Sequence, residues 1–302
     1  MDIYVCIDFF VEYSLKSELE RLFGKFDISL NFPDKPKMGT EVYLQVPIRL
    51  NGKVGIDTIS YITSHLKKEY QISCGESFSC RFNYLDFERS PFFRLVSTGN
   101  SSKAFLEHKK DGIKWKTICP SCGIQEKVQT SPLVMDTSKV GDRYMVNVGV
   151  DYWVVSEKMA YLMKEWEITG YELREVIHSG KKPAQPVFQV IPTNVLPSWS
   201  SEMKHYYFIT EPEERCQTCN IRGRIDYPYH YNKRDLEQYP IKDINIMKEL
   251  KSNGSWAYRP VFLSKRFRDL LIENGITREV INRDDNNYKS RDWLFEPVVI
   301  IE

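Results

Sequence analysis

An α+β fold is predicted for this chain from three observations. The first hundred residues alternate strand-like and helix-like segments, two CxxC pairs lie further along, and a hydrophobic strand entering a serine-capped helix occurs twice. At 302 residues the chain is long enough for two domains. We place one over residues 1–100 and the other over 111–302, with a linker in the polar stretch Ser97 to Gly112.

Ile3 to Phe10 alternates and is rich in β-branched and aromatic side chains, so it reads as a strand. Leu15, Leu19, Leu22 and Phe23 form one stripe of a helix over Tyr13–Phe23, which Gly24 ends. Strands are expected at Phe26–Leu30 and Val42–Leu50, on either side of a proline-rich turn from Asn31 to Gly39. Asp57 is a good N-cap for a helix through Ile59, Ile62 and Leu66, and Ser77–Leu85 reads as a final strand. This β-α-β-β-α-β order is that of a ferredoxin-like module. The topology hosts many activities, so it assigns none.

Beyond the linker, Val154-Val155-Ser156 leads into a helix over Lys158–Trp166 and then Ile168-Thr169. Phe262-Leu263-Ser264 leads likewise into Lys265–Asn274 and Ile276-Thr277. Serine and isoleucine are twelve positions apart in both copies, Leu162 matches Leu270 and Glu165 matches Glu273, which is the mark of an internal duplication of a strand-helix-strand unit. Ser156 and Ser264 are natural N-caps. Met159, Leu162, Met163 and Trp166 in one helix, and Phe267, Leu270 and Leu271 in the other, have the spacing of core-facing stripes.

Cys119-Pro-Ser-Cys122-Gly and Cys216-Gln-Thr-Cys219 stand 93 residues apart. Each pair has the spacing at which two thiolates on one tight turn hold half of a tetrahedral zinc site, so the two pairs can complete a four-cysteine cage. Pro120 and Gly123 suit the first turn, and Asn220, in the place of Gly123, also tolerates positive φ. One structural zinc held by Cys119, Cys122, Cys216 and Cys219 would join the two halves of the duplication and contribute to folding. The alternative is two unrelated pairs of reduced cysteines. Cys74 and Cys80 admit a second metal site, though ordinary thiols near a strand explain them more simply, and Cys6 is expected to be buried.

Composition narrows function mostly by exclusion. Lys plus Arg number 42 against 41 Asp plus Glu, divided 15 against 14 through residue 110 and 27 against 27 beyond it. Neither half has the cationic excess with which zinc ribbons neutralise phosphates, so charge argues against a nucleic-acid partner. No apolar run reaches the length of a membrane span, and Met1-Asp2-Ile3-Tyr4 lacks the basic start of a signal peptide, so a cytoplasmic protein is expected. His65, His108, His178, His205 and His230 occur singly, and no phosphate loop, nucleophile elbow or dinucleotide fingerprint is present, which points away from an enzyme. Asp284-Asp285 and the acidic run Glu211–Glu214 read as solvated turns.

At CPSCG, VVSEKMAYLMKEWEITGYE, CQTCN, DLEQYPIKDINIMKE and RPVFLSKRFRDLLIENGITREV, in this order over Ile113 to Val299, the chain resembles the double-CxxCG motif immunity proteins of bacterial toxin systems. Asn220 stands where that family has glycine, and residues 1 to about 100 have no counterpart in it. The resemblance implies a protein that binds and neutralises a cognate protein toxin and is not an enzyme. Alternatives are a zinc-ribbon nucleic-acid-binding protein or another component of a bacterial conflict or defence system. For a partner surface the aromatic, mixed-charge stretch Tyr227–Tyr239 is the candidate, with Tyr229, His230, Tyr231 and Arg234 foremost, because tyrosine and arginine dominate binding hot spots. Packing of these tyrosines around the second CxxC turn is the competing explanation.

Overall fold

The structure is a computed structural model that describes all residues except 35–39, 52, 98–111, 149–151, 204, 208, 210–214, 227, 255 and 282–292. It is mixed α+β, with six helices among the described residues and most of the rest in small sheets. Among the described residues, no helix is long and apolar enough to cross a membrane. The chain divides into two compact units, Met1–Arg81 with Lys204–Tyr227, and Phe82–Met203 with Pro228–Glu302.

The first unit is built on β1 (Asp2–Glu12), flanked by β2 (Glu41–Arg49) and β3 (Cys74–Arg81), both antiparallel to it. Alternation sends Val5, Ile7, Phe9 and Val11 to one face, where they bury against Leu19, Leu22 and Phe23 of α1 (Lys16–Gly24) and Ile59, Ile62 and Leu66 of α2 (Ile56–Tyr70). Gln71 closes α2 in the left-handed conformation.

The four-stranded ferredoxin-like order is not reached. Residues 26–30 form no strand; Phe26, Ile28 and Leu30 pack sideways onto the core instead, so hydrophobic alternation there reports burial without pairing. The last strand begins at Cys74 and ends at Arg81, because Asn83 and Asp86 form a reciprocal capping box that starts α3 (Tyr84–Arg89) and places Leu85 on an exposed turn. A later hairpin, His205–Tyr207 with Arg224–Asp226, belongs to this unit too: Tyr206 packs on Phe78 and the Ile209 amide donates to Glu76.

The expected domain limits shift accordingly. Strand β4 (Phe92–Ser97), which we place in the N-terminal module by sequence, pairs with Val261–Ser264 on one side and Trp293–Pro297 on the other, and so falls in the second unit. The expected linker lies, apart from its ends, outside the described residues.

The second unit contains a five-stranded sheet through β4, a four-stranded sheet of Tyr171–Glu175, Val187–Pro192, Tyr152–Ser156 and Met145–Val148, and a four-stranded sheet of Lys251–Asn253, Trp256–Tyr258, β6 (Gln125–Gln129) and β5 (Ile113–Thr117). The duplicated segments fold alike. Ser156 caps α4 (Glu157–Glu165) by accepting from the Met159 amide, and Ser264 caps the second helix, Lys265–Glu273, by accepting from the Phe267 amide. Met159 and Met163 are buried in one, Phe267 and Leu271 in the other. At the far ends, Ile168 donates to the Met163 carbonyl and Ile276 to that of Leu271, each at 2.9 Å. Glu167 and Gly275, both at positive φ, donate to Lys164 and Ile272. This is the same Schellman closure twice. The correspondence ends there, since Tyr171–Glu175 is a strand whereas residues 278–280 are not.

Asp243 joins the two copies. Its carboxylate accepts from the Thr169 amide and hydroxyl, both at 2.9 Å, from the Ser264 hydroxyl at 2.8 Å and from the Arg266 guanidinium at 3.0 Å. Arg266 also reaches the Trp166 carbonyl at the C-terminal end of α4. Burial by itself would push the Asp243 pKa up; the hydrogen bonds from Ser264, Thr169 and Arg266 outweigh it and hold the carboxyl below its ordinary value.

Two outcomes follow from these contacts. Asp243→Ala strands the Thr169 and Ser264 donors and should cost roughly 2–4 kcal/mol of unfolding free energy by denaturant titration. Because the folded-state pKa is depressed, the stability difference from wild type is full above about pH 5 and shrinks as pH falls below the unfolded value of about 3.9. Glu167 carries a left-handed backbone without the freedom of glycine, so Glu167→Gly should stabilise by about 1 kcal/mol while Gly275→Ala destabilises by a similar amount.

Candidate metal centre

The first CxxC pair occupies the tip of the hairpin formed by β5 and β6, whose register runs from Ile113 opposite Gln129 to Thr117 opposite Gln125. The chain reverses between them: Ile118 donates to the Ile124 carbonyl at 2.9 Å, and Gly123, at φ +70°, donates to the Cys119 carbonyl at 2.9 Å. Glycine takes this left-handed conformation without a Cβ penalty.

The second pair repeats the geometry. Asn220, at φ +53°, donates to the Cys216 carbonyl at 3.0 Å, and Cys216 donates to the Arg222 carbonyl at 3.3 Å. The Ile221 amide donates to the Cys219 sulfur at 3.5 Å. Asn220 thus holds the position that Gly123 holds in the first turn, which is why asparagine can replace glycine there.

The sulfurs of Cys119, Cys122, Cys216 and Cys219 all lie within 4.8 Å of one another. Cys119 and Cys216 are buried, and Cys122 and Cys219 half-buried. Four thiolates about 2.3 Å from one ion in a tetrahedron stand about 3.8 Å apart, so the widest pair needs to draw in by about 1 Å at most. Four soft donors in a closed set suit a tetrahedral ion and offer no open coordination position for substrate. The residues present fit a structural metal.

The other cysteines are separate from this cluster. Cys6 is half-exposed rather than buried, because β1 sends its odd-numbered side chains to the core and Cys6 points to the opposite face. Cys74 and Cys80 sit six residues apart on one strand, roughly 20 Å along it, too far to share an ion. Burial, with the Asp8 and Glu76 carboxylates nearby, pushes the Cys74 thiol up to about 11, so it stays protonated at neutral pH.

Two of the histidines have structural surroundings. His65 stacks on Tyr61 and meets Tyr70 edge-on, and His178 bonds to the Thr137 hydroxyl and to the Gly180 and Lys182 carbonyls. His205 and His230 lie in short strands. His108, Glu211–Glu214 and Asp284-Asp285 lie outside the described residues.

The expected partner surface is only partly a surface. Tyr229 and Tyr231 are 1% and 0% exposed, packed edge-on against Phe262, with Tyr231 also against Phe92. Burial, with the Glu249 carboxylate adding to it, drives the Tyr231 hydroxyl far above its ordinary pKa. Alternating aromatics in a hydrophilic stretch look like hot spots in sequence, but here they fill a core beside β4. His230 is half-buried, and Arg234, on the short helix Lys233–Gln238, is exposed. Sequence reading also passed over Asp243, whose partners come from separate segments.

The chain matches no protein-family model, no curated protein and no solved structure.

Backbone strain at the two turns is testable by thermal unfolding. Gly123→Val and Asn220→Val each force a β-branched residue to positive φ and should cost roughly 1–3 kcal/mol, whereas Asn220→Gly should leave stability within about 0.5 kcal/mol of wild type or raise it.

Proposed function

We propose that the chain is an immunity-type binding protein that neutralises a cognate protein toxin, with one structural zinc held by Cys119, Cys122, Cys216 and Cys219. The observation that carries this reading is the convergence of four sulfurs from two CxxC turns within 4.8 Å, since those turns anchor the motif order that resembles the double-CxxCG immunity proteins. Zinc is the ion proposed because four thiolates with tetrahedral spacing select it over hard cations such as magnesium or calcium. When bound, the metal supplies folding free energy and a cross-link between two distant turns.

Reduced thiols of this kind belong to a reducing compartment, which supports a cytoplasmic setting. With Tyr229 and Tyr231 buried, the proposed partner surface moves to the exposed side of the helix Lys233–Gln238, where Arg234 and Glu237 are available and Tyr239, 54% exposed, follows directly. An aromatic ring beside charges of both signs has the make-up of a protein-binding hot spot.

The metal and the partner are tested separately. Purified protein should contain one zinc per chain by elemental analysis; Cys119→Ser and Cys216→Ser should each lower zinc content and the unfolding midpoint, and chelation should do the same to wild type. Zinc content near zero in a folded, fully reduced sample would refute the metal assignment. For the partner, co-expression with the neighbouring toxin gene should rescue growth and give a complex on gel filtration. Arg234→Glu combined with Tyr239→Ala should weaken that complex at least tenfold without changing zinc content; rescue that survives the double change leaves neutralisation standing and displaces the surface.

A further inference from the structure

Two hollows adjoin in the second unit, of about 180 and 310 Å³, and they share Tyr152, Trp153, Tyr258, Arg259 and Val261 in their walls. Arg94, Lys127, Arg174 and Arg259 line them against one carboxylate, Glu126. Glu126 and Glu296 hold Arg259 and Arg94 in place. The lining is therefore cationic in a chain whose net charge is only +1.

The smaller hollow is walled by the rings of Tyr152, Trp153, Tyr258 and Trp293. Asn147 and Trp153 face each other across neighbouring strands and both line it. Trp153 is 4% exposed. The Trp153 Nε1 donor and the Asn147 Oδ1 acceptor are buried with no hydrogen-bond partner among the described residues. Leaving a buried donor and a buried acceptor unmet costs about 1–3 kcal/mol each, so the pair calls for a ligand that answers both.

The chemistry of that ligand can be narrowed. An apolar molecule would leave both atoms unmet, and a simple anion would use the cations but not the rings. A small amide could meet the two polar atoms, but it has no ring to stack. A nucleobase has a flat π face together with an acceptor and a donor side by side on one edge, and its phosphate matches the cations. We propose that the double hollow binds a phosphorylated nucleoside, with the base among Trp153, Tyr258 and Trp293 and read by Asn147 and Trp153, and the phosphate held by Arg174 and Lys127. The same chemistry is offered by a free nucleotide and by the terminal nucleotide of a single strand. This site is independent of the toxin-neutralising reading.

Isothermal calorimetry on the full-length, metal-loaded protein tests it with four ligand sets: the common ribonucleoside 5′-monophosphates, the corresponding nucleosides, inorganic phosphate, and a short single-stranded RNA. At least one monophosphate should bind saturably and more tightly than its nucleoside or phosphate alone. Trp153→Phe, which keeps the ring and removes the donor, should weaken that binding about tenfold. Arg174→Ala lies on an exposed position and should fold normally; it should weaken the nucleotide several-fold and leave the nucleoside unchanged. Binding of the RNA alone, with both variant effects intact, supports the site and assigns it to strand ends. No saturable heat with any ligand at millimolar concentration overturns the proposal, as does binding that neither variant alters.

Discussion

One buried carboxylate organises the second unit. Asp243 lies between the helix Lys233–Gln238 and the strand Ile244–Ile246, yet it accepts from Thr169 just beyond α4 and from Ser264 and Arg266 at the start of its duplicate. Its own amide donates to the Thr169 hydroxyl, and its carbonyl accepts from the Ser264 amide. An ion in so sheltered a place is costly unless every lone pair is met, and meeting them requires both helix ends to stand where they do. The spacing of the duplicated helices thus follows from satisfying one charge. Hydrophobic burial supplies the attraction between elements, but it is too unspecific to set that spacing by itself.

The sulfur cluster illustrates a different division between local and distant constraint. Each CxxC turn is pre-formed by its own backbone, with Gly123 and Asn220 donating back to the first cysteine of their pair. Those hydrogen bonds place two sulfurs together in each turn without a metal. Bringing the two pairs within 4.8 Å is a long-range feature, and four thiolates so close repel unless a cation sits among them. A metal in such a cluster acts on the stability of the folded chain directly, in contrast to surface ion pairs such as Lys233 with Glu302, which water screens.

Aromatic side chains in this protein serve packing and shape in different places. Tyr229, Tyr231, Phe92 and Phe262 form an edge-to-face block that fills the space beside β4, while Arg268 lies over Phe87, Phe93 and Phe295 with its charge met by Asp269 and Glu279. Tyr152, Trp153, Tyr258 and Trp293 instead wall a hollow. The same residue types close one region and leave another open, and the difference lies in what the neighbouring strands bring opposite them.

Features whose causes are local were legible in the sequence: the alternation of β1, the serine caps at Ser156 and Ser264, the repeated closure after twelve positions, and the positive φ of Asn220. Each depends on residues within about a dozen positions, where spacing and side-chain type dictate which backbone groups can pair. The features that sequence misread depend on distant partners. Residues 26–30 had the pattern of a strand but pack on the core without pairing, β4 joined strands from the far end of the chain, and Tyr229 and Tyr231 were buried by Phe92 and Phe262. The sequence by itself determined which atoms could ligate a metal and which helices would be capped; tertiary structure alone decided that four sulfurs meet, that Asp243 is shared and that Trp153 and Asn147 face a hollow, because burial and pairing across the chain are properties of the partners and not of the segment.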